Sequence, residues 1–297
     1  MQSRVRNGVR GALFAAIALT AVTLAPAQSP KLRIIAIGAH PDDCDIQFGG
    51  TAAKLARAGH RVKFLSVTNG DAGHQSIGGA PLAKRRYLEA QESARRLGIA
   101  EYQILDNHDG ELMPTLEVRR QVIRAIREWK ADIVLSPRPN DYHPDHRYTG
   151  VLVEDAAYMV VVPNVVSDAV ALRDNPIFLY YQDGFQKPAP FRPDVSVPID
   201  DVWDQKISAL DAQVSQFYEW LPWVDHELDS VPKDAKARLA WLGQQRDRSI
   251  NAAVRKTLQE EIGDRAAAVK HAESFELCEY GRRPKLTELR AMFPIGK

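Results

Sequence analysis

The sequence predicts a doubly wound α/β fold, in which a mostly parallel sheet carries helices on both faces. Two observations predict it. Short apolar runs alternate with helix-like segments from residue 32 to residue 181, and this alternation is typical of βαβ units. The first run, residues 32–37 (LRIIAI), is apolar at nearly every position, as expected for a parallel strand buried on both faces.

The elements of this core follow one another in a regular order. The expected strands are residues 32–37, 61–68, 102–105, 132–136 and 177–181. The expected helices are residues 49–58, 83–97, 116–129 and 146–159. Gly59 and Gly98 stand where the first two helices would end, and Val118, Val122 and Ile126 lie on one apolar stripe of the third.

The pattern changes after residue 185. Residues 185–197 are rich in proline and predict an extended loop, whereas residues 201–220 and 233–263 predict helices. We therefore divide the chain into a leader at residues 1–27, a core at residues 28–185 and a mostly helical C-terminal extension at residues 186–297. We expect the extension to complete the same domain as the core.

The leader has the pattern of a secretory signal peptide. Arg4, Arg6 and Arg10 precede an apolar stretch at residues 11–24, and Ala25-Pro26-Ala27 matches the small-x-small cleavage pattern. The sequence thus predicts export to the periplasm or the extracellular space, with an uncleaved N-terminal anchor as the alternative. No later stretch is long and apolar enough to span a membrane.

Charge and cysteine content exclude other classes of protein. Without the three leader arginines, 39 basic residues become 36 against 38 acidic ones, a net charge near −2. Because nucleic-acid binding needs a concentrated basic surface, we expect no nucleic-acid partner. The two cysteines, Cys44 and Cys278, are far apart in sequence and we expect both to be free thiols.

Two clusters of imidazole and carboxylate groups follow two of the expected strands. The first is HPDD at residues 40–43 and the second is HPDH at residues 143–146. Ligands of doubly wound sheets bind at the carboxyl ends of the strands, where both clusters fall. Three nitrogen or oxygen ligands with one open position are the arrangement of catalytic zinc. The clusters therefore predict a metal site and a hydrolytic reaction.

The residue types allow several roles within each cluster. In the first, His40 and one aspartate can bind the metal while the other aspartate faces a reacting water. In the second, one histidine can bind the metal while the other stabilises an oxyanion or protonates a leaving group. Asp145 can orient a histidine, and Tyr142 can supply a further hydrogen-bond donor.

The paired clusters resemble the two motifs of the PIG-L/LmbE-like deacetylase family. The resemblance extends over residues 32–185 and includes Thr68-Asn69-Gly70-Asp71, the helix with Arg86, and Asp109-Gly110. It implies a Rossmann-like sheet and hydrolysis of an N-acetyl group, usually on an N-acetylglucosamine moiety, with release of acetate. By position it assigns the zinc ligands to His40, Asp43 and His146. It assigns the general base to Asp42, and oxyanion stabilisation to His143, supported by Asp145.

The chain departs from the family pattern in two respects. Cys44 stands where family members commonly have glutamate, and we expect it to be a small packed thiol, with Asp45 taking over part of the glutamate's role. The C-terminal extension shows no family motif. Four residues near the expected carboxyl edge are candidate substrate contacts, namely Asp71, His74, Arg86 and Tyr142.

Three hypotheses for function follow. The first is a deacetylase with one zinc ion per chain, or another divalent metal, that acts on a small-molecule or glycoconjugate substrate. The second keeps the metal and cleaves another bond, as in a metal-dependent esterase or amidase, or in a phosphoesterase with two ions. The third is a non-catalytic secreted carbohydrate-binding protein.

Overall fold

The structure is a computed structural model that describes Gln2 and residues 31–296. The predicted signal peptide at residues 1–27 lies outside the described residues, apart from Gln2. Among the helices of the described region, none is long and apolar enough to cross a membrane.

A seven-stranded sheet forms the centre of the region from residue 31 to residue 296. Its strands are β1 (Arg33–Gly38), β2 (Arg61–Ser66), β3 (Glu101–Ile104), β4 (Ile133–Ser136), β5 (Ile177–Tyr181), β6 (Val195–Pro198) and β7 (Ala272–Gly281). They lie in the order β3-β2-β1-β4-β5-β7-β6, with β7 antiparallel to both of its neighbours and the other pairs parallel. The strand order reverses at β1, which pairs with β2 on one side and β4 on the other.

Helices cover both faces of this sheet. They are α1 (Asp43–Arg57), α2 (Gly79–Leu97), α3 (Leu116–Trp129), α4 (Pro144–Met159), α5 (Trp203–Asp211), α6 (Leu221–Val224), α7 (Ala235–Arg246), α8 (Ala252–Ile262) and α9 (Leu286–Ala291). A π-helical segment, Ser215–Trp220, precedes α6. Phe48 of α1 packs on one face of the sheet, and Ile126 of α3 and Leu152 of α4 pack on the other. The predicted doubly wound fold is therefore confirmed.

Three helices begin earlier than predicted, α2 at Gly79 rather than at residue 83, and the other two shifts concern the motifs. The first helix begins at Asp43 rather than at residue 49, and α4 begins at Pro144 rather than at residue 146. His143 caps α4, because its side chain accepts a hydrogen bond from the Asp145 backbone N–H. Each motif therefore lies at the N-terminal end of a helix that follows a strand.

The C-terminal extension contributes two strands that the sequence did not predict. The expected loop at residues 185–197 ends in β6, and β7 joins β6 to the edge of the core sheet. The charged residues of β7 interrupt the apolar pattern that would indicate a strand. Glu273 is nevertheless buried there, since its carboxylate accepts hydrogen bonds from Gly50 N, Thr51 N and Lys206 Nζ. The extension thus completes the sheet of the core.

Candidate active site

The two motifs meet because β1 and β4 are neighbours in the sheet. Ile35 of β1 pairs with Val134 of β4, and each strand delivers its motif at the carboxyl edge. A cleft of about 270 Å³ opens over this edge. Its lining includes His40, Asp42, Asp43, Arg86, Asp109, Tyr142, His143 and His146.

Three side chains bring together donor atoms that suit a tetrahedral metal ion. His40 Nδ1 lies 3.2 Å from His146 Nε2, and Asp43 lies 3.4 Å from His146 Nε2 through Oδ1 and 3.7 Å from His40 Nδ1 through Oδ2. Bonds of about 2.0–2.1 Å to a tetrahedral zinc ion would separate the ligands by about 3.3 Å. A Cβ at Gly38 would lie 2.6 Å from Asp43 Cβ, so glycine at the end of β1 permits this approach.

Each of these histidines is oriented by a carboxylate at its other nitrogen. His146 Nδ1 lies 3.0 Å from Asp141 Oδ1, and His40 Nε2 lies 3.0 Å from Asp109 Oδ1. Because a carboxylate only accepts, these nitrogens carry the protons. His146 Nε2 and His40 Nδ1 are then free to bind a metal when the rings are neutral, an arrangement that is common around protein-bound metals.

The electrostatics of the site reflect its concentration of acids around histidines. Burial by itself lowers the pKa of His40, but Asp109, Asp145 and Asp43 outweigh burial and raise the pKa to about 9. Burial likewise lowers the pKa of His146, and Asp43 and Asp141 raise it to about 11. Burial opposes ionisation of Asp43, yet the two histidines hold its pKa well below the usual range. The pocket is thus arranged to stabilise positive charge.

Asp42 faces the same cleft and is held by a buried arginine. Its Oδ1 lies 3.3 Å from Arg86 Nη2, and both side chains are nearly inaccessible to solvent. Burial raises the pKa of Asp42, and Arg86 opposes the shift. Arg86 Nη1 also donates to the carbonyl of Gly70, whose positive φ of 71° suits glycine. A Cβ at that position would lie 2.6 Å from Arg86 Nη1.

His143 is placed to donate a hydrogen bond into the cleft. Its Nδ1 accepts from the Asp145 backbone N–H at 3.2 Å, so the proton of the neutral ring is on Nε2. Burial and the neighbouring His40 and His146 lower the pKa of His143. A neutral His143 therefore has an Nε2–H donor among the groups of the site.

The resemblance implied that Asp145 supports His143, and in the structure Asp145 reaches the His143 ring through its backbone N–H rather than by a hydrogen bond from its carboxylate. Its Oδ2 instead lies 3.4 Å from His40 Nε2 and accepts from Gly110 N at 2.7 Å. His40 also belongs to two other groups of potential metal ligands, one with His143 and His146 and one with Asp109 and Asp145. Because hydrogen bonds from Gly110, Gly73 and Arg86 already engage the two carboxylates, we assign the group with Asp109 and Asp145 to the orientation of His40.

Two of the four candidate substrate contacts lie in the cleft and two do not. Arg86 and Tyr142 line it, and the Tyr142 side chain is largely exposed. Asp71 binds His108 Nδ1 and Asp109 N, outside the lining. His74 Nε2 contacts Glu219 Oε2 at 2.8 Å instead. These two side chains organise the loop between β2 and α2.

Several residues of the site were not predicted from the sequence. Asp109 was named as part of the family resemblance and was given no role in the site, although its position after β3 at the carboxyl edge was a usable signal. Asp141, two residues before His143, was not singled out. Gln216, Trp220 and Leu221 of the C-terminal extension also line the cleft, and only the tertiary fold brings them there.

Cys44 and Asp45 point away from the candidate metal ligands. Cys44 Sγ is fully buried and donates to the Ala36 carbonyl at 3.3 Å, as expected for a packed thiol. Asp45 accepts hydrogen bonds from Ser93 and from Tyr102, whose hydroxyl lies 2.9 Å away. Asp45 therefore does not replace the family's glutamate in the cleft.

The fold and site define an α/β protein with a candidate histidine–aspartate metal site, and comparison with known proteins identifies the family. Residues 35–157 match the PIG-L family, GlcNAc-PI de-N-acetylase. The chain is 36% identical to the diacetylchitobiose deacetylase of Thermococcus kodakarensis over 203 residues, 64% of this chain and 73% of that protein. The chain therefore belongs to the PIG-L family of deacetylases.

Two further proteins resemble the chain. A probable N-acetyl-α-D-glucosaminyl L-malate deacetylase 2 of Bacillus cereus is 28% identical over 224 residues, 71% of this chain and 94% of that protein. The N,N'-diacetylchitobiose deacetylase of Pyrococcus horikoshii is 26% identical and superposes with a TM-score of 0.61. That match covers 82% of this chain and 83% of the other.

Proposed function

We propose that this protein is a zinc-dependent N-deacetylase that releases acetate from an N-acetylglucosamine-type amino sugar or glycoconjugate. One observation carries the proposal: the ligand set of His40, Asp43 and His146 lies in the same cleft as Asp42 and His143. Family membership supports deacetylation. The names of the two curated relatives support an N-acetylated glucosamine as the substrate.

The donor set favours zinc, because two imidazole nitrogens and one carboxylate oxygen are typical ligands of catalytic zinc sites. Another divalent ion with the same preference for nitrogen and oxygen ligands remains the alternative. When bound by His40, Asp43 and His146, the ion would supply Lewis-acid activation of the water and the amide carbonyl.

The protein groups complete the hydrolysis. Asp42, held by Arg86, takes a proton from the attacking water as the water oxygen bonds to the acetyl carbon. His143 donates its Nε2 proton in a hydrogen bond to the carbonyl oxygen as negative charge develops there. The C–N bond then breaks, and Asp42 or His143 protonates the leaving amine. The products are acetate and the free amino sugar.

Asp42→Asn tests this assignment, with Asp45→Asn as its matched control. Both changes replace a buried aspartate near the start of α1 by its isosteric amide, but only Asp42 lines the cleft. We expect Asp42→Asn to abolish acetate release from N-acetylglucosamine and its oligosaccharides while bound zinc is retained. Near wild-type turnover in Asp42→Asn would show that another group is the base.

The alternatives give different results in the same assays. A metal-dependent esterase or amidase would leave N-acetylated sugars intact and hydrolyse other small esters or amides. A non-catalytic carbohydrate-binding protein would bind the sugars without releasing acetate, even with zinc confirmed in the site.

Export is part of the proposal, because residues 1–27 have the pattern of a cleaved signal peptide. N-terminal sequencing of protein recovered from the periplasm or the medium should then show a chain that begins after Ala27. A chain that keeps residues 1–27 and is recovered with the membranes would indicate the uncleaved anchor instead.

A further inference from the structure

Two tryptophans of the C-terminal extension lie at the cleft, one in its lining and the other at its exposed rim. Trp220 ends the π-helical segment and lines the cleft, and Trp223 follows in α6. Their rings are stacked, with centroids 5.4 Å apart and planes 15° from parallel. Trp223 lies outside the lining and is 47% exposed. The stacked pair thus connects the cleft with its solvent-exposed rim.

The indole nitrogen of Trp220 lies close to the inner wall of the cleft at Gly73. A Cβ at Gly73 would lie 3.6 Å from Trp220 Nε1, 3.2 Å from Asp109 Oδ2 and 3.1 Å from Arg86 Nη1. The indole, the carboxylate and the guanidinium therefore surround one point of the wall. Among residues 31–296, no protein acceptor satisfies Trp220 Nε1. This N–H is available to a hydroxyl or carbonyl oxygen of a ligand.

The segment that carries the tryptophans is fixed to the core by polar contacts. Glu219 forms two hydrogen bonds of 2.7 Å with Arg85 and contacts His74 at 2.8 Å. Gln216 Nε2 donates to the carbonyl of Gly73 at 3.2 Å. The aromatic pair is thus held in place before a ligand arrives, which reduces the entropy lost on binding.

The volume of the cleft indicates which part of a ligand would contact the two tryptophans. A volume of about 270 Å³ is slightly below the range of about 300–1,000 Å³ that encloses drug-sized ligands. A cleft of this volume suits one N-acetylated sugar ring, and we place a second ring at the rim. Trp220 lies in the cleft and Trp223 lies at that rim. Their aromatic faces can pack against the apolar C–H faces of pyranose rings.

We propose that Trp220 and Trp223 form an aromatic platform for a second sugar ring. The preferred substrate is then an N-acetylated amino-sugar oligosaccharide rather than the monosaccharide. This inference rests on the proposed deacetylase function and adds a specificity determinant from the C-terminal extension.

The test compares kcat/KM for acetate release from N-acetylglucosamine and from its β-1,4-linked disaccharide. We expect the wild type to prefer the disaccharide by at least about tenfold, and Trp223→Ala to reduce that preference about tenfold. Tenfold corresponds to about 1.4 kcal/mol, the upper part of the range for a stacked aromatic contact. Trp223→Phe should restore most of the preference. Val224→Ala, which changes the exposed neighbour, should leave it unchanged.

A binding measurement separates failure of the platform from failure of the deacetylase. Titration of the protein with the disaccharide should change its tryptophan fluorescence, with a weaker change for the monosaccharide and in Trp223→Ala. If acetate is released but Trp223→Ala keeps the wild-type preference, the platform is wrong and the deacetylase stands. If no sugar releases acetate, the proposed function fails. A fluorescence response that is the same for both sugars would overturn the platform independently, as would a dimer that buries Trp223.

Discussion

Replacing Asp141 by alanine removes the carboxylate that orients His146 from the side opposite its metal-binding nitrogen. Asp141 Oδ1 lies 3.0 Å from His146 Nδ1 and accepts the His143 backbone N–H, also at 3.0 Å. The same oxygen therefore fixes the tautomer of one histidine and the backbone of the other. We expect Asp141→Ala to weaken metal binding while leaving all three ligands in the chain.

The size of the effect follows from this contact. Loss of a carboxylate that supports a metal-binding histidine costs about 10- to 100-fold in metal affinity, which corresponds to about 1.4–2.7 kcal/mol. Asp141→Asn should cost less, because the amide oxygen can still accept from Nδ1, although without charge.

Competition with a chelator of known zinc affinity would measure the change in Kd. Asp183→Asn is the matched control, because it removes an equal charge from the lining of a small cavity that His146 also lines. Asp183 binds Arg138 and contacts no histidine. It should change the Kd much less than Asp141→Ala does. Equal losses in the two variants would refute the orienting role and would indicate a general effect of charge.

The remaining predictions concern stability and metal content. Arg127→Met should lower the free energy of unfolding by at least about 3 kcal/mol in denaturant titrations. The reason is that the guanidinium of buried Arg127 donates to six backbone carbonyls. Arg124→Met, at an exposed ion pair with Asp168, should change the free energy of unfolding little. Burial raises the pKa of Glu154, so the folded state holds that proton more tightly than the unfolded state. The stabilisation from protonated Glu154 is complete below its ordinary pKa and is lost as pH rises through the folded pKa. Thermal unfolding measured across this pH range should show that Glu154→Gln removes the decrease in stability with rising pH, whereas Asp155→Asn keeps it. Metal analysis should find one zinc ion per chain, removable by chelation with a fall in Tm, whereas two ions would favour the phosphoesterase hypothesis.

Local patterns in the sequence were sufficient to predict most of the core. The apolar stripe of α3 and the apolar run of β5 predicted those elements with the bounds they have in the structure. Their signals arise within each segment, from periodicity and from flanking turn residues. The two motifs were also recognisable, because each clusters imidazole and carboxylate groups after a buried strand, where ligands of doubly wound sheets bind.

Signals that depend on distant residues were not available from the sequence. A glutamate in a charged segment, such as Glu273, suggests solvent exposure. The fold instead brings Lys206 and the backbone of α1 to its carboxylate. The Asp145 carboxylate contacts His40, which is distant in sequence, while its backbone N–H donates to the ring of neighbouring His143. Trp220 lines the cleft only because the C-terminal extension folds back over the loop that contains Gly73.

Acetate release by zinc-loaded mature protein, beside a chelated aliquot, tests the central claim most directly. The substrates would be N-acetylglucosamine, its oligosaccharides and N-acetylglucosaminyl conjugates. The geometry of His40, Asp43, His146 and Asp42 predicts release by the zinc-loaded protein, loss on chelation and recovery when one equivalent of zinc is added. Absence of acetate from every substrate with zinc confirmed in the site, or undiminished release after complete removal of the metal, would contradict the account.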